Sequence, residues 1–196
     1  MLTFLFCGVE STGKSTAIEN VYKYLTNKGY KVKIVSEVGR DVCANSGGVD
    51  EMSLLDYEQI LYLHQANFLK EYANNKYDII LLDTDSTYTR YYLEKDNKLL
   101  SENPALCSKL IDLSENISLI NEEGKKISQI IYLNPDCPFV QDGTRTYEAS
   151  RYEDDKILFN LYNKLYKETP ITIIKGKEYQ NRTNQIYEII NKKLSD

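Results

Sequence analysis

Along the chain, short apolar runs alternate with longer stretches in which apolar positions recur at helical spacing. Leu2–Cys7 is a nearly continuous apolar run, short enough for a strand buried on both faces. From residue 15 to 27 the period changes, with Ala17, Ile18, Val21, Tyr22 and Leu25 at helical spacing and Gly29 placed to end the helix. Residues 31–36 predict a second strand, closed by the sequence EVGRDV. A Gly-containing segment over 45–50 then leads to a long helix, Leu54–Asn74, with Leu61, Phe68, Leu69 and Tyr72 on one face. Residues 77–83 form another nearly continuous apolar run, the pattern of a strand inside a parallel sheet. Helical patterns over 87–95 and 104–120 precede a fourth strand at 128–133. The polar stretch NPDCPFVQDGTRTYEASRYEDD has neither period. Residues 156–167 predict a helix with Ile157, Leu158, Leu161 and Leu165 inward, followed by a fifth strand, Ile171–Ile174. A closing helix carries Ile186, Ile189, Ile190 and Leu194.

Strands alternating with helices imply an α/β fold of three layers, a five-stranded parallel sheet with helices on both faces. Right-handed crossovers and a ligand crevice at the carboxyl ends of the strands follow. The expectation is one domain over residues 1–196, with no repeat or linker and a lid segment at about 138–153. The net charge of −5 comes from 24 Lys and Arg against 29 Asp and Glu. Without basic runs there is no electrostatic footprint for duplex nucleic acid. No apolar stretch approaches the ~20 residues that span a bilayer, and the chain enters a strand at once rather than a signal peptide. Four scattered cysteines without a C-x-x-C pair suit reduced thiols in a cytoplasmic protein.

The turn after the first strand carries the strongest chemistry. Gly8-Val9-Glu10-Ser11-Thr12-Gly13-Lys14-Ser15 is the phosphate-loop spacing, set between a strand and a helix start as its mechanism requires. Backbone N–H groups from Gly8 through Thr16 then face a phosphate, and Lys14 reaches the β/γ-phosphates of ATP. The Ser15 hydroxyl holds Mg²⁺. Lys14 is expected to face solvent, so that its loss costs no packing.

In such a fold the residues just past each strand point into one crevice. After the second strand these are Glu37, Arg40 and Asp41. Glu37 is the expected general base, because a hydroxyl acceptor needs a carboxylate at its proton. After the third strand come Asp83 and Asp85. Asp83 is expected to hold Mg²⁺ through its water shell, and Asp85 is the better helix cap. In the polar segment, Arg145 and Arg151 are expected to close over the transferring phosphoryl group.

GTPases need Asn-Lys-x-Asp, and the nearest stretches, NKGY at Asn27 and NKLY at Asn163, lack the aspartate. A motor or remodelling ATPase would place Asp-Glu at the end of the third strand, where this chain has Asp83-Thr84-Asp85. The chain is also short for such an engine. A small-molecule kinase fits better, and a nucleotide-binding regulatory module stays open as the other class.

The motifs GVESTGKST, SEVGRDV, YDIILLDTDSTYT, FVQDGTR and YQNR, in that order over essentially the whole chain, resemble the ribosylnicotinamide kinase domain of the NadR family. That resemblance implies ATP-dependent phosphorylation of the 5′-hydroxyl of nicotinamide riboside to the mononucleotide, with Mg²⁺. It matches Asp142-Gly143-Thr144-Arg145 to the family's lid and Tyr179 and Arg182 to the region that holds adenine. Glu37, Arg40, Asp41 and Asp85 fall near the acceptor. NadR chains also carry an adenylyltransferase domain, so adenylylation to NAD is not expected here. The family's Trp after the second strand is replaced, and the chain has no Trp. Stacking on the acceptor ring could pass to Tyr57 or Tyr62, or the acceptor could be another nucleoside or a nucleotide. His64, on the same helix, is expected at the surface or in packing.

Overall fold

Five apolar runs pair in parallel in the order β2-β3-β1-β4-β5. The structure is a computed structural model, and it describes residues 1–48, 51–140 and 150–195. β1 (Leu2–Cys7) lies at the centre, flanked by β3 (Ile79–Asp83) and β4 (Gln129–Leu133), with β2 (Val32–Val35) and β5 (Ile171–Ile174) at the edges. The register sets Phe6 of β1 beside Asp83 and Cys7 beside Tyr132, so the loop after β1 emerges between two neighbouring strand ends.

Alternation along β1 assigns the helices to faces. Phe4 and Phe6 pack with Ala17, Ile18, Val21 and Leu25 of α1 (Lys14–Asn27) and with Ile186 and Ile190 of α8 (Tyr179–Ser195). Leu5 and Cys7 face the other way, toward Phe68 of α3 (Leu54–Asn74), Tyr88 and Tyr91 of α4 (Ser86–Lys95), and Leu158, Leu161 and Leu165 of α7 (Arg151–Leu165). α2 (Gly39–Ser46), α5 (Asn97–Glu102) and α6 (Pro104–Glu123) add a third cluster, away from the sheet, with Val42, Cys43, Leu99, Cys107 and Leu110.

The helix starts have local causes. Ser53 and Asp56 form a reciprocal capping box at α3, and Asn103 caps α6 ahead of Pro104. Several expectations need correction. α2 and α5 appear where no helix was expected, because each is short and offers only one or two buried residues. α7 begins five residues early, at Arg151, since its polar first turn shows no apolar period. Ile157 is half exposed and Tyr22 and Leu69 are also exposed, so each sits at the solvent edge of its stripe. Among the described residues no helix is long and apolar enough to cross a membrane.

Candidate active site

The turn from β1 into α1 can pass under β4 only as glycine. Gly8 has φ +137, and a Cβ there would lie 2.3 Å from the carbonyl oxygen of Leu133. Gly13, at φ +81, meets the Tyr179 ring, whose oxygen would be 2.4 Å from an added Cβ. The loop is tied to itself. Lys14 Nζ donates to the carbonyls of Gly8 (2.7 Å) and Val9 (3.0 Å), and Thr12 Oγ1 donates to Val9 (2.9 Å).

Lys14 is therefore not solvent-facing as the sequence led us to expect; it is 6% exposed. Its aliphatic stem is enclosed while its ammonium caps loop carbonyls and sits 5.0 Å from the Tyr88 ring centre. Burial holds its pKa below the usual lysine value, against the pull of Glu37 and Asp83.

A cavity of about 310 Å³ opens over this loop. Residues 10–16 form one wall, Glu37, Gly39, Arg40 and Cys43 a second, and Met52, Tyr57 and Ile60 a third. Tyr88, Thr89 and Tyr92 of α4 close it. Tyr92 Oη donates to Glu10 Oε1 (2.6 Å), and the rings of Tyr88 and Tyr92 meet edge to face at 5.1 Å. The α4 residues were missed in the sequence. Their signal was the i, i+1, i+4 spacing of 88, 89 and 92 directly after the Asp-Thr-Asp turn.

Glu37 enters this cavity with its side chain 18% exposed and Arg40 Nε 3.8 Å away. Burial, followed by the negative charge of Asp83, raises its pKa from 4.5 to about 7, with Lys14 and Arg40 opposing. A carboxylate poised near neutrality is suited to take a proton from a hydroxyl. Asp83 ends β3 beside the loop; burial raises its pKa, opposed by Lys14, Arg40 and a hydrogen bond from Ser15. Its Oδ1 is buried with no hydrogen-bond partner in the protein. An unsatisfied carboxylate oxygen beside a serine hydroxyl fits Mg²⁺, whose other positions nucleotide oxygens and water would fill. His64 is buried rather than at the surface. Its Nε2–H donates to the Asp83 carbonyl (3.2 Å), and burial lowers its pKa to about 4.

Thr84 stands at φ 62, a conformation that costs a β-branched residue energy. It turns the two aspartates apart. Asp85 is not brought to the acceptor wall: it caps α4 through Thr87 N–H (3.1 Å) and accepts from Tyr162 Oη (2.7 Å) and from Tyr166 Oη. Replacing it with alanine leaves two buried phenols without an acceptor. Asp85→Ala is expected to lower stability by about 3 kcal/mol, read by urea unfolding.

Other expected site residues fall elsewhere. Asp41 is exposed in the first turn of α2 and does not line the cavity. Tyr62 is 72% exposed, whereas Tyr57 is buried in the wall. Arg151 is buried at the start of α7, bonded to loop carbonyls rather than open to a phosphoryl group. Arg182 is likewise buried and donates to Thr12 O (3.1 Å), while Tyr179 lies against Gly13. Asp142 and Arg145 lie outside the described residues.

A family model described as an AAA domain matches residues 3–182. No curated protein matches the sequence. Among solved structures, a NadR protein in complex with nicotinamide riboside (NR) superposes with a TM-score of 0.71 at 17% identity, covering 100% of this chain and 50% of that one. A NadR protein in complex with NAD and AMP-PNP follows at 0.67 and 17%, covering 97% and 49%. The chain thus spans about half the length of these NadR structures. A thymidylate kinase from Ehrlichia chaffeensis superposes at 0.62 with 14% identity, covering 97% and 98%. At these identities the likeness is one of fold, shared with about half of each NadR structure and with the thymidylate kinase.

Proposed function

The chain belongs to the family described as an AAA domain, and from that premise we propose that it is an ATP-dependent kinase acting on the 5′-hydroxyl of a nucleoside, with nicotinamide riboside as acceptor. The observation that carries this reading is one cavity with a phosphate loop on one wall. Facing it are a carboxylate poised near pH 7 and a set of tyrosines.

Bound ATP would lay its phosphates along the loop amides and Lys14, and Mg²⁺ would be held by Ser15 and Asp83. The metal would supply charge neutralisation on the phosphate oxygens. Glu37 accepts the proton of the attacking hydroxyl. Because phosphoryl transfer has a loose, charge-rich transition state, these groups act by position and field rather than by covalent chemistry.

Two features favour a nucleoside over a nucleotide acceptor. A monophosphate would bring its charge against Glu10 and Glu37. Among the described lining residues the only cations are Lys14, already on the loop, and Arg40. A water-activating ATPase is disfavoured because Asp85, the second acidic residue of the Asp-Thr-Asp turn, is engaged by Tyr162 and Tyr166.

The acceptor ring has an aromatic wall although the chain lacks Trp. Tyr57, in the cavity wall, would meet a flat cationic ring, an attraction worth about 1–2 kcal/mol when desolvated. Tyr57→Ala is expected to weaken nicotinamide riboside binding about tenfold and to leave ATP binding unchanged, from the same magnitude. Calorimetric titration with each ligand checks it. Equal losses for both ligands would place Tyr57 in the fold rather than at the acceptor.

A further inference from the structure

Two buried arginines on opposite faces of the sheet hold successive peptide units of the phosphate loop. Arg151, at the first turn of α7, is 5% exposed; its Nη2 donates to the Ser11 carbonyl at 2.9 Å and its Nη1 to the Cys137 carbonyl at 2.7 Å. The Cys137 thiol donates to the same Ser11 oxygen at 3.1 Å. Arg182, in α8, is 3% exposed; its Nη2 donates to the Thr12 carbonyl at 3.1 Å. α7 packs on one face of the sheet and α8 on the other.

In a trans peptide each carbonyl and the following N–H lie in one rigid plane and point in opposite directions. Holding the Ser11 carbonyl outward therefore turns the Thr12 N–H inward, and holding the Thr12 carbonyl turns the Gly13 N–H inward. Thr12 and Gly13 are both residues of the loop wall of the cavity. Ser11 sits at φ 58, a conformation a non-glycine residue keeps only where its surroundings hold it. The Arg151 guanidinium and the Cys137 thiol hold its carbonyl, while the Val140 backbone holds its hydroxyl. We infer that Arg151 and Arg182 are positioning residues that aim the Thr12 and Gly13 amides at a nucleotide phosphate, one arginine per amide. This rests on the reading that the loop binds nucleotide phosphates.

The assignment differs from a lid arginine or an adenine contact in what each variant loses. The probe is ADP, titrated into ¹⁵N-labelled full chain while the amide resonances of Thr12 and Gly13 are followed. In the wild type both should shift strongly. Arg151→Lys should lose most of the Thr12 shift and keep that of Gly13; Arg182→Lys should do the reverse. Each should weaken ADP binding about tenfold, the worth of a hydrogen bond to a charged group. Lysine keeps the charge and much of the volume, so the folded spectrum is preserved and only the fork geometry is lost. If both variants retained both shifts, or each lost both together, the inference would be overturned, the second result marking the arginines as supports of the fold. A wild type whose loop amides ignored ADP would instead remove the nucleotide reading, and the inference with it.

Discussion

Glu37→Gln is expected to remove most phosphoryl transfer and, at pH 8, to make the protein more stable. Both effects come from one group. The carboxylate is the base for the acceptor hydroxyl, and losing a positioned base costs roughly 10²–10⁴-fold. Its pKa is raised from 4.5 to about 7 by burial and by Asp83, so the folded chain holds this proton more tightly than the unfolded chain does. The resulting stability is complete below pH 4.5 and is lost as pH rises through about 7. That loss is on the order of 3 kcal/mol. Glutamine is neutral throughout and escapes it. Unfolding midpoints for the two proteins should converge near pH 4.5 and separate toward pH 8, with the variant higher. In the wild type, kcat/KM should fall on the acid side of about pH 7, and the residual activity of the variant should lack that limb. Parallel stability curves would show that Glu37 is not the group held protonated by burial.

Lys14→Ala is expected to lower kcat about 10³-fold, the scale for removing a charged group aimed at developing charge. The fold should change little. The side chain is buried, so its loss takes away packing and the donor to the Gly8 and Val9 carbonyls. It also removes the cost of burying an ammonium whose pKa is already depressed. These oppose each other, and a net change within about 1 kcal/mol is expected by urea unfolding. Lys14→Met, which keeps the stem, separates packing from charge: it should be as inactive as the alanine variant. Near-normal turnover by either would remove the loop from the mechanism.

The framework was legible in the sequence because its signals are local. Short runs rich in apolar residues marked all five strands, and apolar positions at helical spacing marked α1, α3 and α8 without need of a distant partner. Glycines spaced around Lys14 marked the loop for the same reason. What could not be read depends on where side chains turn after the backbone is set. Thr84 in its left-handed conformation sends Asp83 to the loop and Asp85 to two tyrosines over 70 residues away. No adjacent residue announces that separation. Arg151 could be marked as a phosphate-site arginine and Arg182, by resemblance, as a residue of the adenine region, but neither as a donor to loop carbonyls, because that role is set by how α7 and α8 dock. The polar first turn of α7 hid its start, since the burial of Arg151 leaves no apolar period to find.

The most direct test of the account is the product formed when the purified chain is given ATP, Mg²⁺ and, one at a time, nicotinamide riboside, thymidine, deoxycytidine and thymidine monophosphate. Phosphorus NMR and mass spectrometry then identify what carries the transferred group. The account predicts ADP release that requires the acceptor, with nicotinamide riboside converted to its 5′-monophosphate and the nucleotide left unchanged. Phosphorylation of thymidine monophosphate, or ATP hydrolysis that no acceptor stimulates, would contradict it.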